Sequence, residues 1–145
     1  MVDARVMVDD RYSGIYAVVM GNSGGPSEMK YSPTGKPVAT VSVAVGSIKK
    51  DMPPQWVTLT FWEEMAETVN KVVIEKGLRV KAEGRITQEL FEAMDKTIKS
   101  KLKMTDVKVL WIGNRQNVFV EVVAGDTLAD IKSRAKASGL GDDKK

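Results

Sequence analysis

The sequence predicts an all-β protein with one central helix and a short strand–helix extension at its C-terminal end. Three observations carry that expectation. Several segments alternate apolar and polar residues with period two, as half-buried strands do. One stretch in the first hundred residues, just after Trp62, switches to helical spacing. Glycine, proline, asparagine and aspartate cluster between the periodic segments, where turn chemistry is needed.

Residues 1–13 mix valines with charges, show no period and are expected to form an arm. "GIYAVVMG", 14–21, is the first strand and ends on glycine. "GNSGGPSE" then reads as a loop and "YSPTGKP" as a second turn. "VATVSVAV", 38–45, sets Val41, Val43 and Val45 on one face and Thr40, Ser42 and Ala44 on the other. "GSIKKDMPP" is a loop carrying Lys49 and Lys50. The third strand, "QWVTLTFW", 55–62, has a core face of Val57, Leu59 and Phe61. Its other face holds Trp56, Thr58, Thr60 and Trp62.

In "EEMAETVNKVVIEKG" Met65, Val69, Val72 and Val73 recur at helical spacing. Glu63, Glu64 and Glu67 suit the positive end of a helix dipole, and Lys76-Gly77 reads as the stop. "LRVKAEGRITQELF", 78–91, returns to period two, with Val80, Ala82, Gly84 and Ile86 on one face. Parity carried past Gly84 places Phe91 with the polar set. "EAMDKT" is a hairpin tip, and "IKSKLKM" with "VKVLWIG" is a last long strand, irregular near Thr105-Asp106. "NVFVEVV" alternates as one more strand. "DTLADIKSRAKASG" reads as a short capped helix with Leu128, Ile131 and Ala135 in phase, before a frayed end.

One helix between the third and fourth of five strands is the element order of an OB-fold, a small, partly open Greek-key barrel. The expected organisation is an arm (1–13), a five-stranded OB barrel (14–113) and a C-terminal extension of strand, short helix and frayed end (114–145).

Composition narrows the function. The chain has 145 residues, ordinary fractions of hydrophobic (43%) and charged (28%) side chains, and a formal charge of +3. It has neither cysteine nor histidine, which removes disulfides, thiolate metal sites and the usual neutral-pH general base. No carboxylate pair stands beside an evident base or metal partner, and the glycine-rich "GNSGG" lacks the Gly-Lys-Ser/Thr of a phosphate loop. A non-enzymatic protein without metal or cofactor is expected. The N-terminal residues lack an apolar signal region and nothing is long enough to span a membrane, so no membrane association is expected.

The residues left to carry function are aromatic and basic. Trp56 and Trp62 are six residues apart on one face, roughly 20 Å along an extended strand, with threonines between them. Such a pair can stack bases, or one indole can cover a barrel end while the other packs under a loop. Lys99, Lys101 and Lys103 line one side of a strand and Arg79, Lys81 and Arg85 one side of another. With Phe91 at their hairpin they can form a groove for a sugar-phosphate backbone. Lysines on a solvent face are also ordinary edge protection.

Taken together these motifs resemble the bacterial single-stranded DNA-binding protein family, from about Gly14 to Gly113. The first strand ends "VVMGN". The turn "EMKYSPTGKPVATVSVAV" stands where that family has Glu-x-Arg-Tyr-x-Pro-x-Gly and an alternating strand. "QWVTLTFWEEMAE" and "EKGLRVKAEGRI" follow in order. The resemblance implies non-specific single-stranded DNA binding in replication, recombination and repair, by a cytoplasmic, nucleoid- or replication-associated homotetramer, or at least a homodimer. It implies stacking on Trp56, Trp62 and Phe91, and basic contacts at Lys30 and Lys76. The further nucleic-acid-binding candidates are Lys49, Arg79, Arg85, Lys99, Lys101 and Lys103.

The chain departs from the family at several points. The family's further aromatic position falls near Lys49, its basic position on Glu64 and its arginine position on Thr58, so that stacking site is expected to be absent and the groove less basic than usual. The chain ends "GLGDDKK" in place of the family's acidic, apolar tip. Protein recruitment through such a tip is therefore not expected. Trp111 and "NVFVEVV" are candidates for core or interface. An RNA-binding or primosome-type accessory barrel, or a protein-interaction barrel, are the alternative functions.

Overall fold

The computed structural model describes residues 14–46, 53–73, 76–113 and 118–137. The arm expected over 1–13 and the loop lysines Lys49 and Lys50 lie outside the described residues. The elements in chain order are β1 (Ile15–Ser23), β2 (Glu28–Tyr31), β3 (Pro37–Val45), β4 (Gln55–Trp62), α1 (Glu63–Val72), β5 (Arg79–Glu92), β6 (Ile98–Gly113), β7 (Phe119–Val122) and α2 (Leu128–Ala137).

Five strands close a ring. The sheet order runs β1-β5-β6-β4-β3, and β3 pairs back to β1 through Asn22↔Ala44 and Ser23↔Val43. The β4–β6 pairing is parallel and short, from Val57↔Leu102 to Leu59↔Met104; the other strand pairings are antiparallel. This is the expected OB barrel. Period-two alternation puts Val41, Val43, Val57, Leu59, Val80, Ala82, Met104 and Leu110 inside, each at most 3% exposed. Truncating a buried side chain such as Leu59 to alanine costs about 2–5 kcal/mol in cores of this kind.

One strand escapes a reading by pattern. "EMKY" is expected to belong to a loop, yet β2 pairs with β3 from Glu28↔Thr40 to Tyr31↔Pro37. Its four residues, between two turn-rich stretches, are too few for the alternation of Met29 and Tyr31 with Glu28 and Lys30 to stand out, and β2 hangs on the outside of the ring with none of its side chains buried.

The α1 helix connects β4 to β5 and packs against β3 and β4, burying Ala66, Val69 and Val72. It ends earlier than expected, at Val72, where the Val73 N–H closes the last turn on the Val69 carbonyl. Lys76-Gly77 instead forms the turn into β5. There Gly77 has φ +87°, and its N–H donates to the Ser23 carbonyl at 2.8 Å.

The irregularity expected near Thr105 is real and double. Against β5, β6 carries one extra residue at Lys108 and another at Thr105. Two inserted residues restore the parity, so Lys103 and Trp111 both point outward. Gly84 makes the close approach possible, since a Cβ there would collide with the Asp106 carbonyl and Val107 Cα.

The C-terminal elements build onto the barrel. β7 continues the sheet beyond β6, with Leu110↔Val122 and Ile112↔Val120, and Val120, Val122 and Ile131 join the core. The Thr127 hydroxyl accepts from the Asp130 N–H while the Asp130 carboxylate accepts from the Thr127 N–H, a reciprocal N-terminal cap for α2. Arg134 donates to both carboxylate oxygens of the buried Asp126, at 2.9 and 2.8 Å, and to the Glu121 carbonyl. The Asp126 carboxyl is thereby held below the usual carboxylate range. Trp111 is not part of the core. It lies half-buried on the outer face with the Lys81 ammonium 5.0 Å from its ring centroid.

Candidate nucleic-acid interface

Register places the candidate residues on the outside of the barrel. The outward face of β4 is bordered by β3 on one side and the first half of β6 on the other. Across β3 and β4, Trp56 stands opposite Ala44, Thr58 opposite Ser42, Thr60 opposite Thr40 and Trp62 opposite Val38. β2 adds Glu28 beside Thr40 and Lys30 beside Val38. On the other side Thr58 pairs with Lys103. Extending that parallel register by one residue pair brings Trp56 level with Lys101. β5 then contributes Thr87 opposite Lys103, Glu89 opposite Lys101 and Phe91 opposite Lys99. One continuous surface therefore carries Trp56, Trp62, Phe91, Lys30, Lys99, Lys101 and Lys103.

The aromatic groups are available on that surface. Trp56 is 49% exposed, Trp62 50% and Phe91 44%. The threonines between the indoles are less open. Thr60 is only 9% exposed, in a recess it shares with Met65, Thr105 and Asp106. Phe91 sits where β5 and β6 run past the ring as a two-stranded ribbon, with Lys101 Nζ 5.9 Å from its ring centroid. Trp56 rests on the loop after β1. Its benzo edge covers Gly24, where an added Cβ would come within 2.7 Å of Cζ3.

The charge pattern is less basic than the lysine count alone implies. Glu89 takes a hydrogen-bonded ion pair from Lys103 at 3.0 Å and a looser one from Lys101 at 3.8 Å. Hydrogen bonding from Lys103 holds the Glu89 carboxyl below its ordinary range. Lys30 and Lys99 make no ion pair among the described residues.

The remaining candidates lie elsewhere. Lys76 is exposed in the turn whose glycine bonds Ser23, next to the Gly24 end of the surface. Arg79 and Arg85 occupy the first half of β5, opposite Asn22 and Tyr16 of β1. The Arg85 guanidinium lies 5.8 Å from the Tyr16 ring centroid, on the side of the barrel that faces β1. Three residues that shape the surface are not flagged by the sequence pattern. Gly24 and Glu28 sit in what reads as loop, although the Gly-Gly-Pro run is a signal of close approach. Glu89 shares its parity with Phe91, and that parity could have flagged it as a neutralising partner.

Among the described residues no group of acidic side chains could hold a metal ion, and no helix is long and apolar enough to cross a membrane. The family model of the single-strand binding protein family matches residues 16–110, which takes in β1 through most of β6. The chain belongs to the single-strand binding protein family. No curated protein matches it individually. As a single-strand binding protein it binds single-stranded DNA, and its family is one of binding proteins that catalyse no reaction. The matched segment stops before β7 and α2.

Proposed function

We propose that this single-strand binding protein coats exposed DNA strands without regard to sequence, in replication, recombination and repair. Bases stack on Trp56, Trp62 and Phe91, while Lys30, Lys99, Lys101 and Lys103 follow the phosphates. Lys76 extends that path, Arg79 and Arg85 carry it toward the β1 side, and Lys49 is a further candidate contact. The observation that carries the reading is the pair of half-exposed indoles at the two ends of one outward β4 face, beside a lysine-bearing strand. Every base offers a π-face, so such a platform tolerates any sequence. The resemblance to bacterial relatives extends the proposal to a homo-oligomer, with a tetramer favoured.

Quenching of intrinsic fluorescence by oligo-dT tests the mechanism. Trp56→Ala, Trp62→Ala and Phe91→Ala should each weaken binding by roughly 1–3 kcal/mol, the usual worth of a stacked base. The affinity should also fall linearly with log salt as phosphate contacts release counterions. Unchanged affinity in all three variants would refute stacking, and a flat salt response would refute the phosphate path.

A further inference from the structure

Beside Trp56 the surface opens into a recess of 390 Å³, bounded by Gly24, Glu28, Thr40, Ser42 and the indole. Its volume falls in the range of small-molecule sites, about 300–1,000 Å³. Trp56 makes one wall aromatic, Glu28, Thr40 and Ser42 contribute polar groups, and Gly24, Gly25 and Pro26 complete the lining.

The walls are fixed by hydrogen bonds. The Gly24 N–H donates to the Ser42 carbonyl at 2.8 Å, which ties the β1–β2 loop to β3. The Ser27 N–H donates to the Val73 carbonyl at 2.9 Å, which ties the other end of that loop to the end of α1. Thr40 holds Glu28 in register from the neighbouring strand.

The chemistry of the recess is opposite to that of a phosphate site. Glu28 is exposed and makes no ion pair among the described residues. A carboxylate accepts hydrogen bonds and cannot donate them, so it repels a phosphate and attracts N–H groups. In single-stranded DNA those groups are on the base edges.

We propose that this recess takes one nucleobase against Trp56 and that Glu28 selects bases presenting amino donors. Guanine fits best, because its N1–H and 2-amino group are adjacent donors for the two carboxylate oxygens. Cytosine and adenine each present one amino group. Thymine presents a single N–H between two carbonyl oxygens that face the carboxylate unfavourably. The proposal rests on the stacking reading above and adds a base preference at one position of an otherwise sequence-tolerant surface.

The test uses anisotropy titrations with a labelled dT oligonucleotide and the same oligonucleotide carrying one internal dG. The wild-type protein should bind the dG-containing strand roughly fivefold more tightly or better, as one bidentate base contact provides. Glu28→Gln keeps the shape and removes the charge. It should abolish that ratio while leaving all-dT binding equal or tighter. Deoxyinosine in place of dG lacks the 2-amino group and should lose part of the gain in the wild type only. Equal dG-to-dT ratios in wild type and Glu28→Gln, or inosine equal to guanine in the wild type, would overturn the assignment. Trp56→Ala separates the two readings. If it weakens all-dT binding while the ratio ignores Glu28, only the recess assignment fails. If it leaves all-dT binding unchanged, stacking at Trp56, on which the recess assignment rests, fails.

Discussion

Gly24 and Trp56 are packed so closely that position 24 has no room for a side chain: a Cβ there would meet Trp56 Cζ3 at 2.7 Å and Cη2 at 3.0 Å. The backbone of Gly24 is in turn bonded to Ser42. The indole therefore rests on a fixed seat, half of it open to solvent. Its orientation is set before any ligand arrives, which spares the entropy of ordering it on binding.

Gly24→Ala should tilt the indole off that seat. We expect single-stranded DNA affinity to fall by about 1 kcal/mol, part of the worth of one stacked base, with a change in Trp fluorescence in the free protein. Thermal stability should change far less than in a core variant such as Leu59→Ala. Titration of both variants alongside their melting curves checks the pair of expectations.

Glu89 restrains two lysines of the surface. Glu89→Gln should leave Lys101 and Lys103 free for phosphates, raising affinity at low salt. The slope of log affinity against log salt should steepen by about 0.7 for each further phosphate that these lysines neutralise on a single strand. Because hydrogen bonding from Lys103 holds the Glu89 carboxyl low, acid frees the same lysines only below the ordinary glutamate range. Binding isotherms at several salt concentrations decide the matter. An unchanged slope would mean that the two lysines do not touch the strand.

Glu63 follows Trp62 directly and has φ +56°, a left-handed conformation at the start of α1. For a residue other than glycine this costs roughly 1–2 kcal/mol. Among the described residues its one ion contact is an exposed one, to Lys36 at 3.9 Å. Glu63→Gly should therefore leave stability equal or raise it, whereas Glu63→Val should lower it. Denaturant unfolding of the two variants measures the difference.

Asp126 makes the attachment of α2 sensitive to acid. Arg134 depresses its pKa in the folded protein, so its stabilising effect is fully present above the unfolded aspartate value, about 3.9. It disappears as the pH falls through the lower folded value. Melting curves of the wild type should lose stability across that acid window. Asp126→Asn should start less stable at neutral pH and show a shallower slope there.

The barrel is legible in the sequence because strand alternation and one change of period suffice to order its elements. Parity alone also places Trp56, Trp62 and Phe91 outward, since the extra residues at Lys108 and Thr105 fall in β6 and leave β5 in phase. β2 is not legible because it is an edge segment of four residues set between turn signals, too short for its alternation to be told from loop, and none of its side chains is buried. The helix stop expected at Gly77 is misplaced, because positive φ there serves a turn into β5 rather than the end of α1. Glu89, Glu28 and Gly24 depend on which strands lie side by side, and a linear sequence does not state that. The separation of Arg79 and Arg85 from the indole surface has the same origin. Both belong to the half of β5 that pairs with β1, whereas Phe91 belongs to the half beyond it.

The ring closes on two brief seams, two paired rungs between β1 and β3 and three between β4 and β6. The second joins residues 45 positions apart, Val57 and Leu102, and loop entropy makes such long-range contacts slow to form. A DNA strand lying over Trp56, Thr58 and Lys103 would cross that seam from one edge to the other. A ligand that binds only the folded form stabilises it. Bound DNA would then act as a clasp on that second closure, and hydrogen exchange at Val57–Leu59 and Leu102–Met104 should slow the most when it is present.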